Sequence, residues 1–282
     1  RFMRSEKDGI GLLAKLESIV TVCFNVEKTL ARTMESVLEQ TYRPLEYILI
    51  DGKSTDKTVD VILSIEPLFR EKGIKLRWLS EADKGIFDAM NKGVCLSSGR
   101  WVNFMNAGDI FVDGEAIARL FAAEIHPNTK VVYGDTLRQK SYAIVPAKGN
   151  IPEVTPKLMP ACHQSMFADT EEMKAHPFDL SYRLAADYHF IYNLYQRGGR
   201  MQYIPVDVSL CEAIEGVSSV HKLDVKRECA RIRGIDHTLK WKLSLLNKTI
   251  SYAVKHLADS IVPSSLLMKI KRKNRQRLEH RA

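Results

Sequence analysis

Residues 18–24, Ser-Ile-Val-Thr-Val-Cys-Phe, narrow what this chain can become more than any other stretch. A short apolar run rich in β-branched residues reads as a strand buried on both faces. A helix follows it: Leu30, Met34, Val37 and Leu38 recur at the spacing of one helix face, up to Gln40. The unit then repeats. Residues 45–50 (Leu-Glu-Tyr-Ile-Leu-Ile) read as a second strand, and Val59, Ile62 and Leu63 as the face of a second helix that stops near Gly73. A strand at 75–79, a helix at about 85–97, a strand at 100–106, a helix at about 114–125 and a strand at 130–137 continue the alternation. Strands alternating with helices predict parallel βαβ units with right-handed crossovers, an α/β fold.

In such sheets, ligands sit beyond the carboxyl ends of the strands. Four successive strand ends here carry polar groups on one edge: Asn25, Asp51, Glu81 to Lys84, and Asn106 to Asp109. Asn25 is also placed to cap the first helix, and Ser54 or Thr55 the second. No GxGxxG follows the first strand and no GxxxxGK[ST] occurs, so a Gly-rich first loop does not cradle phosphates. The acids Asp51 and Asp109 remain. A carboxylate at a strand end accepts a hydrogen bond from a base or ribose, or holds Mg2+ or Mn2+ against a diphosphate. A lone Asp-Gly such as Asp51-Gly52 equally shapes a turn.

The second half reads differently. Residues 138–180 hold five prolines and little periodicity, and are expected as loop and short strands. A helix spans 184–197 and a last strand 201–210. From 221 the pattern is helical and basic. Residues 221–282 hold 16 Lys and Arg against 5 Asp and Glu, whereas the first 220 hold 26 against 29, so the net charge of +8 belongs to the tail. Within 239–257, Leu239, Leu243, Leu246, Ile250, Val254 and Leu257 share a face, with Lys240, Lys242, Lys248 and Lys255 off it. Lys271 to Arg277 is a charge run. That tail reads as an amphipathic surface helix whose polybasic end holds anionic lipid, or as a solvated helix packed on the domain or on a second subunit. It lacks the interleaved aromatics that base stacking uses, which argues against nucleic acid.

The five cysteines are scattered without zinc-ligand spacing, which suits a reducing compartment. Arg1-Phe2-Met3-Arg4 opens no apolar stretch, so no signal peptide is expected. No run approaches the roughly 20 apolar residues of a transmembrane helix, and a soluble or surface-bound protein is expected.

Four motifs together point to a family. Ser18-Ile-Val-Thr-Val-Cys-Phe-Asn25-Val-Glu27 resembles the opening of the family-2 glycosyltransferases. So does Met34-Glu-Ser-Val-Leu-Glu-Gln-Thr-Tyr42, followed by Glu46-Tyr-Ile-Leu-Ile-Asp51-Gly-Lys-Ser-Thr-Asp56-Lys-Thr58. Glu81-Ala-Asp-Lys-Gly-Ile-Phe-Asp-Ala-Met-Asn-Lys-Gly93 resembles the branch that builds bacterial exopolysaccharide, colanic acid or O-antigen. Phe104-Met-Asn-Ala-Gly-Asp109 stands where that family has its Asp-x-Asp motif. The resemblance covers residues 18–220, with a nucleotide half at about 18–110 and an acceptor half at about 111–220; residues 1–17 precede it and the basic tail, 221–282, follows.

It implies a GT-A fold: a Rossmann-like, mostly parallel sheet flanked by helices. By position, Asn25 and Glu27 belong to the first nucleotide-binding loop, Asp51 contacts the base, and Lys84 lies near the diphosphate. Asn91 matches an Asn that closes its helix onto the sheet. The family stretch Asp-x-Asp-Asp reads Asn106-Ala107-Gly108-Asp109 here, which leaves Asp109 as the ligand for Mg2+ or Mn2+ and Asn106 for a ribose hydrogen bond. Arg183-Leu-Ala-Ala-Asp187-Tyr-His-Phe resembles the element carrying the catalytic base, so Asp187 is the candidate. His163 and Gln164 fall on the acceptor side, His163 as a contact to acceptor or diphosphate or as a satisfied loop histidine. Gly216-Val217-Ser218 would close over the product site.

The expected activity is transfer of a sugar, with inversion, from a nucleotide diphosphate donor to a lipid-linked saccharide, at the inner face of the cell membrane. A non-catalytic scaffold that has lost its metal site is one rival. A sugar nucleotidyltransferase is another, though Ser18–Glu27 lacks its Gly-rich, Arg-containing loop.

Overall fold

The computed structural model describes residues 15–140, 143–212 and 221–261. The alternation becomes strands β1 (Glu17–Cys23), β2 (Leu45–Asp51), β3 (Lys75–Ser80) and β4 (Trp101–Phe104), joined by helices α1 (Leu30–Leu38), α2 (Thr58–Glu71) and α3 (Ile86–Leu96). The second half adds β5 (Ile110–Phe111), α4 (Ala116–Phe121), β6 (Thr129–Lys140), β7 (Ala143–Ala147), β8 (Met166–Asp169), α5 (Thr170–Ala175), α6 (Ala186–Gln196) and β9 (Arg200–Glu212). Two helices close the described chain, α7 (Lys222–Ile232) and α8 (Leu239–Ile261).

Among the described residues nine strands form one sheet, in the order β3-β2-β1-β4-β8-β6-β9-β5, with β7 on β6. β3, β2, β1 and β4 run parallel. β8 then pairs antiparallel with both β4 and β6, so the sheet is mixed. β1 and β2 are buried at every position, as apolar runs without alternation require.

Each face of the sheet has its own core. Leu30, Met34 and Val37 of α1, Ile62 and Phe69 of α2, and Ile117 and Leu120 of α4 cover one face. Phe87, Met90 and Val94 of α3, Met173 of α5 and Phe190 and Leu194 of α6 cover the other. α3 approaches the sheet closely at Gly93, where a Cβ would stand 2.4 Å from Val20 Cγ1.

The helix starts correct two sequence expectations. Asn25 does not cap α1: it sits in the left-handed region (φ 52°), and the helix begins at Leu30 after a turn closed by the Thr29 and Leu30 amides on the Val26 carbonyl. Neither Ser54 nor Thr55 caps α2, which begins at Thr58. Lys57 holds the N-cap position without a side-chain cap, and Asp56 before it accepts from the Thr58 amide (3.0 Å) and hydroxyl (2.5 Å). The 138–180 stretch also holds α5, too short for its periodicity to stand out, capped by Asp169 through the Glu172 amide at 2.9 Å.

α7 packs on α6, whereas α8 leaves Leu239, Leu243, Leu246 and Ile250 more than half exposed. No helix among the described residues is long and apolar enough to cross a membrane. Gly216-Val217-Ser218 and the Lys271–Arg277 run lie outside the described residues.

Candidate active site

Strand register brings the first cluster together. Cys23, Asp51 and Ser80 are paired across β1, β2 and β3, so their side chains leave the same face of the sheet. Asp51 is fully buried. Its oxygens accept from the Ser54 hydroxyl (2.5 Å), the Ser54 amide (3.1 Å) and the Ser80 hydroxyl (2.6 Å). Burial pushes the Cys23 thiol up to about 12, with Asp51 adding to the effect.

The loops after β1 and β2 are clasped to one another. The Asn25 amide donates to the Ser54 hydroxyl, and Asn25 Oδ1 accepts from the Thr55 amide, both at 2.8 Å. The Glu27 amide donates to Asp56 (3.1 Å), while Glu27 accepts from the Lys57 amide (3.0 Å). Asn25 and Glu27 therefore fix the shape of the pocket between the strand ends. The clasp leaves Phe24, a residue the motif reading passed over, 59% exposed against Gly52. Asp83 also stands against Gly52, whose added Cβ would meet its carboxylate at 2.6 Å. Lys84 is exposed, and its backbone amide donates to Asp88 at the start of α3.

The turn after β4 carries the second cluster. Thr33 of α1 pins it twice, accepting from the Gly108 amide (2.9 Å) and donating to the Asp109 carbonyl (2.8 Å). Gly108 takes φ +100°, where a side chain would be strained. That backbone explains why no acid stands at 108. One strand position earlier, buried Asn103 donates to the carbonyls of Gln164 (2.9 Å) and Met166 (2.8 Å), holding the His163–Ser165 turn against β4.

These anchors bring five expected residues, Asn106, Asp109, His163, Gln164 and Asp187, into two short networks. His163 lies between Asn106 Nδ2, 2.9 Å from its Nε2, and Asp187 Oδ2, 3.2 Å from its Nδ1. An Nδ1–H tautomer satisfies both neighbours: it donates to the carboxylate and accepts from the amide. Asp187 is the second residue of α6, its Oδ1 accepts from the Tyr188 amide, and its side chain is 23% exposed. Asp109 accepts from Gln164 Nε2 (2.6 Å) and the Glu212 amide (3.1 Å). Burial raises its proton affinity above the ordinary carboxylate range, against those hydrogen bonds. Asn91 serves elsewhere, exchanging two 2.9 Å hydrogen bonds with the Phe178 backbone on the path to α6.

The model of the family named Glycosyl transferase family 2 matches residues 18–151. A PGL/p-HBAD biosynthesis glycosyltransferase of Mycobacterium bovis is 31% identical over 182 residues, 64% of this chain and 69% of that protein. The chain belongs to glycosyltransferase family 2. It is also 35% identical over 98 residues, 35% of this chain and 37% of the relative, to an Escherichia coli protein named UDP-Glc:alpha-D-GlcNAc-diphosphoundecaprenol beta-1,3-glucosyltransferase WfaP. Among solved structures, the mannosyltransferase PcManGT of Pyrobaculum calidifontis, in complex with GDP-Man and Mn2+, shares the fold. Its TM-score is 0.62 at 16% identity, over 86% of this chain and 76% of that one. The fold of this glycosyltransferase is thus GT-A, the mixed sheet with helices on both faces described above.

Whether its residues suit a divalent cation is decided by the donor set. Among the described residues no three His, Cys, Asp or Glu side chains gather as a metal cluster. The oxygens at the end of β4 are nonetheless hard donors. Among the described residues, Asn106 Oδ1 is buried without a partner, and the Asp109 carboxylate is bonded only to neutral N–H groups, which exchange readily for a cation. Such a pair fits Mg2+ or Mn2+ that completes its shell with diphosphate and water.

Proposed function

We propose that this glycosyltransferase moves a sugar, with inversion, from a nucleotide diphosphate donor to a lipid-linked saccharide in bacterial surface polysaccharide synthesis. The observation that carries the reading is the Asn106–His163–Asp187 chain, which joins the end of β4 in the donor half to the start of α6 in the acceptor half. The buried Asp51 cluster and the exposed ring of Phe24 at the strand ends serve as the site for the base, with Asn25 and Glu27 holding its loops. Asp51 and Asn106 address the nucleoside, and Lys84 the diphosphate.

Asp187 accepts the proton of the acceptor hydroxyl. That oxygen then bonds to the anomeric carbon on the side opposite the nucleotide, while the bond from carbon to the diphosphate oxygen breaks. His163 keeps the carboxylate turned toward the acceptor. Gln164 and the Glu212 amide hold Asp109 beside the leaving group. A cation at Asp109 supplies positive charge to the departing diphosphate.

A lipid-linked acceptor is supported by the diphosphoundecaprenol in the name of the E. coli relative. The exposed face of α8, flanked by Lys240, Lys242 and Lys248, supports attachment to an anionic membrane surface, at the cytoplasmic side where nucleotide sugars are made.

Nucleotide release from a panel of UDP-, GDP- and dTDP-sugars, with and without Mn2+ and a polyprenyl-diphosphate GlcNAc acceptor, tests the reaction. One donor turned over at a rate that Asp187→Asn lowers at least 100-fold is expected; Asp187→Asn with full activity would remove Asp187 as the base. Flotation with phosphatidylglycerol vesicles tests the surface. Replacing Leu239, Leu243, Leu246 and Ile250 by Ser abolishes binding on this reading, and equal flotation overturns it.

A further inference from the structure

α6 starts without a cap of its own. Its N-cap residue is Ala185, which has no side chain to offer the free amides of the first turn. The segment that leads into it, residues 183–185, is held instead by a carboxylate of α7, 43 to 45 residues further along. Glu228 Oε1 accepts from the Arg183 amide, and Oε2 from the Leu184 and Ala185 amides, all at 2.9 Å. Three consecutive backbone donors leading into the helix of Asp187 thus converge on one carboxylate. Its negative charge also faces the positive end of the α6 dipole.

The rest of α7 grips the same segment. Arg231 donates to the Ser181 carbonyl (2.7 Å) and lies over the Tyr182 ring, 4.2 Å from its centroid. Cys229, beside Glu228, is close enough to feel Asp187: its thiol is pushed up to about 11 by burial and by that carboxylate. The other approach to α6 is held by the Asn91–Phe178 pair. Among the described residues, only the side facing α7 depends on the C-terminal extension.

We infer that Glu228 anchors the 183–185 segment entering α6, and that through it the C-terminal extension positions Asp187. This rests on Asp187 as the base, and it gives the extension a part in transfer beyond any surface it binds. Glu228 touches no reacting atom; it is a positioning residue.

Backbone hydrogen exchange on the full chain tests it without substrate. In Glu228→Ala, amides at 183–187 are expected to exchange about tenfold faster, with β1 still protected. In Glu228→Gln, one carbonyl oxygen remains and the change is smaller. Unchanged exchange in Glu228→Ala overturns the anchor, and where that variant does not fold, unchanged exchange in Glu228→Gln does so.

Kinetics with the donor and acceptor found by the panel add the functional arm. Glu228→Ala should lower kcat about tenfold at unchanged donor KM, Glu228→Gln should restore part of it, and Glu228→Ala should cost nothing further in an Asp187→Asn background. A full additional loss in that background, or an unchanged kcat, shows that Glu228 does not act through Asp187. An active Asp187→Asn would sink the base assignment alone, since the exchange result still decides the anchor.

Discussion

His163→Ala removes both contacts that tie Asp187 to the donor half: the 3.2 Å contact to Asp187 and the 2.9 Å contact to Asn106. A hydrogen bond to a charged group contributes about 1.5–3 kcal/mol and a neutral one about 0.5–1.5 kcal/mol. Both partners are about a quarter exposed, 23% for His163 and for Asp187, so water replaces part of what is lost. The lower ends of those ranges apply, and their sum is about 2 kcal/mol. If the imidazole orients the base in the transition state, that is about a 30-fold fall in kcat. Donor KM should change much less than kcat, because the nucleotide loops clasped around Asp51 keep every contact and only Asn106 loses one on the donor side. Steady-state kinetics of nucleotide release separates the two parameters. A kcat within threefold of wild type would refute the orienting role. A raised donor KM at constant kcat would place His163 on the donor instead.

Two further perturbations bear on the metal and on stability. Asp109→Asn keeps an oxygen for Gln164 but removes the charge, so the rise in melting temperature that Mn2+ with nucleoside diphosphate gives the wild type should vanish; an equal rise in the variant excludes Asp109 as ligand. Glu17 is buried, and burial pushes its carboxyl up to about 8 from 4.5. Its contribution is whole below pH 4.5, declines as the unfolded chain ionises by at most about 1.4 kcal/mol per pH unit, and is gone above about pH 8. Glu17→Gln mimics the protonated form between Tyr42 and the Trp101 amide, so urea midpoints at pH 5, 6.5 and 8 should slope less in the variant; identical slopes reject the assignment.

Much of this was legible in the sequence because it is local. Buried parallel strands need apolar runs, and those runs place β1, β2 and β4 within a residue or two at most boundaries. Asp51 and Asp109 were visible as acids at strand ends. The cap at Asn25 was misread because an Asn after a strand signals both a cap and a left-handed turn, and only the position of Leu30 decides. Asn103, Thr33 and Glu228 were not legible. Each acts on backbone atoms between 43 and 76 residues away, and no periodicity marks a side chain that serves a distant carbonyl or amide. The apolar run predicts Phe24 as the last residue of a buried strand, yet the strand ends at Cys23 and the Phe24 ring is left exposed.

The departure at 106 follows from the same geometry. An acid there would face His163 Nε2, 2.9 Å from the atom that now receives the Asn106 amide. Two carboxylates, at 106 and 187, would then flank one imidazole and favour its doubly protonated, charged form. An imidazolium binds the Asp187 carboxylate as an ion pair, and a paired carboxylate is a weaker base. Asn106 avoids this by donating to Nε2, which leaves the single ring proton on Nδ1 for Asp187. Asn106→Asp should therefore strengthen Mn2+ binding by adding a hard anionic donor, while lowering kcat for transfer. Isothermal titration with Mn2+ and rate measurements at saturating metal report the two effects separately. A variant that binds Mn2+ more tightly and transfers as fast as the wild type would show that the amide at 106 has no bearing on the base.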